Sequence, residues 1–250
     1  MQIQVRINED GALRNQRYAF TDRFTLVSEL LQNARRAGAT RIEIDYDVAA
    51  QVLRVQDDGC GLDDFQKLLS FHESGWDAAT AAEERPFGVG FSKCLYAATR
   101  CIVASNHQRV DIDTAAALAK ASIDVEAIAE TVAGTRIELH GVGLPDLGNR
   151  IETLCQGFPV PVLFNGKPLV RRFALANLAT MPSSMGAVPL AGTRDGKNSY
   201  ETMVFLQGFC VMKPTYCLLD KVNVVHLDSR QFTARLPDRD KLIDEDVQSK

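Results

Sequence analysis

The chain has 250 residues and a formal net charge of −4, with a pI near 5.6. That length buries a full core and suits one large domain or two small ones, while the charge gives no general electrostatic reason to bind nucleic acid, although it leaves room for a local basic groove. Residues 1–20 lack the charged start, apolar run and cleavage site of a signal peptide, and no apolar stretch approaches the roughly 18 residues that a bilayer span needs, so the chain reads as a soluble cytoplasmic protein with no membrane partner.

QIQVRI, residues 2–7, alternates enough for a short strand, and Asn8 to Ala12 reads as a polar turn. Thr21 or Asp22 supplies an N-cap for a helix that runs to about Ala37 and stops at Gly38. At about 100° per residue, Leu26, Val27, Leu30, Leu31, Ala34 and Ala37 form an apolar stripe, and Glu29, Asn33 and Arg36 share an adjoining polar strip. Residues four apart on a helix lie one above the other, so a carboxylate and a carboxamide stand side by side. The Asn33 oxygen can hold a hard cation such as Mg²⁺, and the Glu29 carboxylate can accept a proton from a water attacking a phosphate. Amphipathic helices also carry Glu and Asn at their borders for solubility alone, so this helix does not decide the matter by itself.

Arg41 to Asp47 alternates with Ile42, Ile44 and Tyr46 on one face, and Val52 to Val55 follows as its strand partner. The second strand runs into DDGCGL, where Gly59 and Gly61 let a ligand approach the backbone and Asp57 can accept a hydrogen bond from a purine amine. A plain Asp-Gly turn is the common alternative. A short helix from Asp63 to about Phe71 leads to Gly75–Pro86, a stretch without apolar periodicity that reads as a mobile lid or an ordinary surface loop. Then FGVGFSK opens an apolar helix with Gly88 and Gly90, an arrangement that presents N–H groups to phosphates or simply permits close packing, and Lys93 adds charge one turn in.

Cys101 to Ser105 reads as a buried strand, the alanine-rich Asp111 to Glu130 as a helix or loop, and Gly134 to His140 as a strand whose Thr135 hydroxyl faces either the site or a neighbouring strand. Leu147 to Gln156 is helical, and Asn165-Gly166 marks a hairpin between PVPVLF and KPLV. Residues 177–199 are rich in turn formers, strands follow in YETMVFLQGF and VNVVHLDSRQF, and the tail is charged. The six cysteines form no CxxC pair and read as reduced small hydrophobes; the four histidines read as surface or strand residues.

Four segments in this order, ELLQNARRAGA, DDGCGL, FGVGFSK and GTRIELH, together resemble the motifs of the GHKL ATPase superfamily, which includes ninety-kilodalton heat-shock chaperones, MutL proteins, type II topoisomerase ATPase subunits and histidine kinases. The resemblance covers roughly residues 20–170. It implies the Bergerat fold, a two-layer α/β sandwich with a mixed sheet, over 1–172, leaving 173–250 as a β-rich extension or the start of a transducer or middle domain. It also implies roles: Glu29 as general base, Asn33 as ligand of Mg²⁺, Asp57 with Gly59 and Gly61 at the adenine, Gly88, Val89, Gly90 and Phe91 around the phosphates of ATP, and Thr135 supporting Asp57 or a water. The first motif resembles the MutL form, and FGVGFSK and GTRIELH resemble the chaperone form. The family usually carries an acid where this chain has Arg36, which could pair with Glu29 or contact nucleotide.

The resemblance implies a slow ATPase that works as a conformational clamp, dimerises with ATP and acts on a protein client or partner. An ATP-regulated binding module with little hydrolysis and an anti-sigma-type protein kinase are its alternatives. A histidine kinase is disfavoured, because too few residues precede Glu29 for a two-helix phosphoacceptor module. Such ATP domains are generally followed by a module that supplies a basic residue to the terminal phosphate, so the chain is expected to be a piece of a longer protein, with Lys213 and Lys221 as candidate donors.

Overall fold

A computed structural model describes residues 3–20, 22–73, 76, 90–189, 201–213, 222–234 and 242. The expected lid at 75–86 (apart from Trp76), Gly88, Val89, Thr21, Cys217, Lys221 and most of the charged tail lie outside the described residues.

The fold is mixed α/β. Its first sheet is built from β1 (Ile42–Asp47), β2 (Val52–Asp57), β3 (Arg100–Asp113), β4 (Val125–His140), β5 (Val162–Phe164) and β6 (Lys167–Pro168), in the order β3-β4-β2-β1-β5-β6. All neighbours are antiparallel except β1 and β5, which makes the sheet mixed. One face is apolar: Ile42, Ile44, Leu53, Val55, Val103 and Leu139 pack with Leu26, Val27, Leu30, Leu31 and Ala34 of helix α2 (Thr25–Arg36) and Ile151 of a later helix, Leu147–Leu154. The other face carries charge, including the Arg54–Glu138 and Arg136–Glu130 ion pairs. A sheet covered on one side and solvated on the other needs this alternation. Among the described residues, no helix is long and apolar enough to cross a membrane.

Helix α2 follows the expected stripe. Asp22 accepts from the Phe24 amide at its start, and the helix ends at Ala37 before Gly38, whose φ is +73°. The N-terminal expectation fails. Residues 3–8 form no strand, and Ile3, Val5 and Ile7 stand in solvent, because alternation without a partner strand leaves the backbone unpaired. The expected turn at Asn8–Ala12 is instead helix α1 (Glu9–Gln16), nucleated by the Asn8 side chain accepting from the Gly11 amide.

Two further expectations are refined, and one segment left without an assigned element is found to be a hairpin. The segment after Asp63 is only a 3-10 turn, Phe65–Leu68. The alanine-rich 111–130 stretch is the tip of a long hairpin: β3 continues to Asp113, a five-residue helix (Thr114–Leu118) crosses over, and β4 begins at Val125. The alanine run itself, Ala115–Ala117, is helical as expected, and the pairing of β3 with β4 takes the residues on either side of it. Residues 177–199 contain a hairpin of β7 (Thr180–Ser183) and β8 (Gly186–Pro189).

That hairpin joins β9 (Thr202–Leu206), β10 (Phe209–Met212) and β11 (Asn223–Leu227) in a second sheet ordered β10-β9-β11-β8-β7. Its own small core contains Phe173, Met203, Phe205 and Val224. His226 is a buried strand histidine, 4.9 Å from the Phe205 ring and 2.7 Å from the Phe173 carbonyl through Nε2. Lys213 is exposed just after β10.

Candidate functional site

The candidate residues fall along one edge of α2. At one end, Glu29 is buried, and Gly90 lies against its carboxylate: a Cβ at Gly90 would come within 2.7 Å of Oε2. Asn33, one turn on, is partly exposed. At the far end, the Cys60 amide donates to the Ala37 carbonyl at 2.8 Å, and a Cβ at Gly59 would sit 2.7 Å from both the Ala37 carbonyl oxygen and its Cβ. Glycine at 59 and 90 is therefore needed for close approach, here to a helix and a side chain of the same chain. Glu29 to Ala37 spans about 12 Å of helix axis.

Asp57, the last residue of β2, sits between Ile42 of β1 and Thr135 of β4. It is buried, and burial pushes its carboxyl above the ordinary 3.8, partly opposed by main-chain hydrogen bonds from Gly59 and Thr135. The Gly59 amide donates to Oδ1 at 2.9 Å. Thr135 thus reaches Asp57 through its backbone. Gly61 has φ +76°, and its turn is pinned by Ser105, whose buried hydroxyl donates to the Gly134 carbonyl at 2.6 Å and accepts from the Leu62 amide at 2.8 Å. Asp58 turns outward and accepts from the amides of Thr40 and Arg41, which ties the strand end to the chain leaving α2. Neither Ser105 nor Asp58 stands out in the sequence; only the Asp-Asp-Gly run hinted at the latter.

Arg36 does not turn to Glu29. Its Nη1 lies 3.5 Å from Asn33 Oδ1, at the limit of a hydrogen bond, so a cation on that oxygen must share or displace it. Glu29 instead meets Lys93, from helix α3 (Ser92–Ala97): Nζ is 3.3 Å from Oε1, with the two side chains 3% and 5% exposed. Sequence reasoning gave Lys93 only a charge for phosphates. Phe91, just before α3, packs partly buried against the main core. Lys93 also borders a cleft of about 270 Å³ lined by Arg17, Phe20, Arg23 and Tyr96 among others. Asn33 and Asp57 do not line that cleft, so it is an additional feature beside the α2 edge.

The cysteines divide. Cys94, Cys101 and Cys155 are buried as expected, but Cys60 is exposed within the Asp57–Gly61 turn.

Residues 21–142 match the family described as histidine kinase-, DNA gyrase B-, and HSP90-like ATPase. A 70-residue stretch is 37% identical to the DNA mismatch repair protein MutL of Proteus mirabilis (strain HI4320). That stretch is 27% of this chain and 10% of MutL, so the match spans about a tenth of that protein's length.

Proposed function

Residues 21–142 form a domain of the histidine kinase-, DNA gyrase B-, and HSP90-like ATPase family, and from that premise we propose that the chain binds Mg²⁺-ATP and hydrolyses it slowly to drive a conformational clamp. The observation that carries this reading is the placement of a buried carboxylate, Glu29, against Gly90 at one end of α2 and a buried carboxylate, Asp57, beside the other. The Asp57 end suits the amine of adenine, with Gly59 and Gly61 shaping the turn and Thr135 holding Asp57. The Glu29 end suits the phosphates, with Gly88, Val89, Gly90 and Phe91 around them. Asn33 supplies one oxygen to Mg²⁺, which takes one or two protein ligands together with substrate phosphates and water. Bound there, the ion neutralises phosphate charge.

In hydrolysis Glu29 accepts a proton from the water whose oxygen attacks the terminal phosphorus, and the bond to ADP breaks with its electron pair going to the leaving oxygen. The likeness to MutL and the second sheet packed behind α2 support the clamp: residues 1–172 act as the ATP domain and 173–250 as a following module. A dimer closed by ATP and a protein client complete this reading, with the cytoplasm as its place. A second reading, nucleotide binding with little turnover, is favoured by Lys93 on Glu29 and Arg36 on Asn33.

Calorimetric titration with a non-hydrolysable ATP analogue, with and without Mg²⁺ and beside Asp57→Ala, tests binding. Affinity that needs Asp57 and strengthens with Mg²⁺ supports the site, and no binding by folded wild-type protein rejects it. Glu29→Ala separates the two readings. Loss of phosphate release with binding retained supports the clamp ATPase, whereas a wild type that turns over no faster than this variant supports the binding module.

A further inference from the structure

We propose that Lys93 is a latch on Glu29, exchanged between the carboxylate and the terminal phosphate of ATP. Resting on the ATPase reading above, the inference adds what releases the base.

One carboxylate oxygen of Glu29 is held by Lys93 and the other is crowded by the Gly90 backbone. Oε1 faces the Lys93 ammonium at 3.3 Å, and Oε2 is close enough to Gly90 that a methyl group there would collide with it at 2.7 Å. A general base needs a lone pair within about 3 Å of the water it activates. A carboxylate held by a buried ammonium is poorer at this, since the proton it must accept competes with a full positive charge. In the geometry seen here the base is masked.

The group that removes the mask is fixed by the reaction. Water activated by Glu29 sits between that carboxylate and the terminal phosphorus, so the phosphate comes within reach of an ammonium 3.3 Å from Oε1. Lysine suits the exchange, being a compact charge on a flexible stem. The Phe20 ring, with its centroid 5.7 Å from Nζ, also gives the ammonium an aromatic face. A buried lysine without a counter-charge is costly, and here it passes from one anion to another and is compensated in both states. ADP lacks the terminal phosphate and leaves the latch on Glu29. The base is thereby uncovered only when its substrate is present, which reconciles the proposed role of Glu29 with a carboxylate that rests in an ion pair.

The experiment is calorimetric binding of ADP and of an imido-linked ATP analogue, with Mg²⁺, to the whole chain and to Glu29→Gln, Lys93→Met, Lys93→Arg and the double variant Glu29→Gln/Lys93→Met. Removing the competitor, Glu29→Gln should tighten the ATP analogue about three- to tenfold and leave ADP unchanged, and the double variant should lose that gain. Lys93→Met should lower the preference for the analogue over ADP by about tenfold, the worth of one charge-assisted hydrogen bond, and Lys93→Arg should recover most of it. A merely structural pair would move both nucleotides alike. The latch is overturned if Glu29→Gln changes both nucleotides equally, or if its gain persists without Lys93. Should Lys93→Met alone fail to fold with its buried carboxylate uncompensated, the comparison of Glu29→Gln with the double variant decides, since neither keeps a charge at position 29. Wild-type protein that binds no nucleotide overturns the ATPase reading and the latch together; binding that needs Asp57 but is indifferent to Glu29→Gln overturns the latch alone.

Discussion

The Gln32 side chain, fully buried on the helix that carries Glu29 and Asn33, donates to the main-chain carbonyl of Gln207 at 3.3 Å across 175 positions of sequence. Gln207 and Gly208, with φ of +54° and +87°, make the tight turn between β9 and β10. Beside it, Phe158 and Phe209 stack with ring centres 5.3 Å apart, and Gly157 lies so close to Phe205 that a Cβ would fall 2.2 Å from the ring. The second sheet is therefore seated on α2 one residue from Asn33, and a displacement of that helix must be met at the β9–β10 turn.

Gln32→Leu tests how much this seat contributes. It removes the donor to Gln207 and the acceptor of the Arg35 Nε hydrogen bond at 2.8 Å, while keeping most of the buried volume. The expected loss is about 1–3 kcal/mol, read from the midpoint and slope of urea unfolding. A loss under about 0.5 kcal/mol would show that packing alone holds the two sheets together.

Gly59→Ala probes the other end of the helix. The added methyl would meet the Ala37 carbonyl oxygen and Cβ at 2.7 Å, and neither is the end of a flexible chain. The turn must move off α2, taking with it the amide that donates to Asp57. Overpacking of this kind costs about 1–3 kcal/mol, and affinity for the ATP analogue should fall at least tenfold. Unchanged affinity in calorimetry would separate the turn from the nucleotide.

Asp57 gives a pH dependence with a definite sign. Burial raises its carboxyl in the folded state above 3.8, so between 3.8 and the folded value the native protein keeps a proton that the unfolded chain has lost. Stability contributed by this group falls as pH rises through that window, and the cost of the buried anion is fully present above it. Relative to Asp57→Asn, wild-type protein should lose stability across that interval in urea titrations at stepped pH. A wild type that gains relative to the variant over the same interval would show a carboxyl stabilised in its charged form.

The sequence made legible those features whose cause is local. The stripe of α2, the alternation of Ile42, Ile44 and Tyr46 and the Asn165-Gly166 turn each carry their own period or dihedral demand, and each element forms as expected. Alternation at 2–7 misled, because a strand is completed only by a partner that the segment itself does not specify. The alanine-rich stretch was half legible: Ala115–Ala117 are helical as expected, but the strands reach in from both sides, to Asp113 and from Val125, because their pairing is set by residues far apart in sequence. At the candidate site, the Glu29–Asn33 adjacency is set by helical spacing and was readable. The Lys93–Glu29 pair spans 64 positions and the Ser105–Gly134 bond 29, so neither leaves a mark in any short window.

Thiol chemistry offers a prediction that needs no substitution. Cys60 is exposed, whereas burial pushes the Cys94 and Cys155 thiols up to about 12 and holds Cys101 well above 9. The thiolate is the reacting form, so native protein should alkylate at Cys60 while those three react only in denaturant. Cys60 stands between Gly59 and Gly61, on the turn assigned to adenine, and a bound purine would cover it. ADP and the ATP analogue should then slow its alkylation equally at saturation, because both carry the base; the Lys93 latch, by contrast, should tell them apart. Peptide-resolved mass spectrometry of a timed alkylation reads each cysteine separately. Protection by neither nucleotide, under conditions where calorimetry shows binding, would move the base away from the Asp57–Gly61 turn and take the adenine role from Asp57.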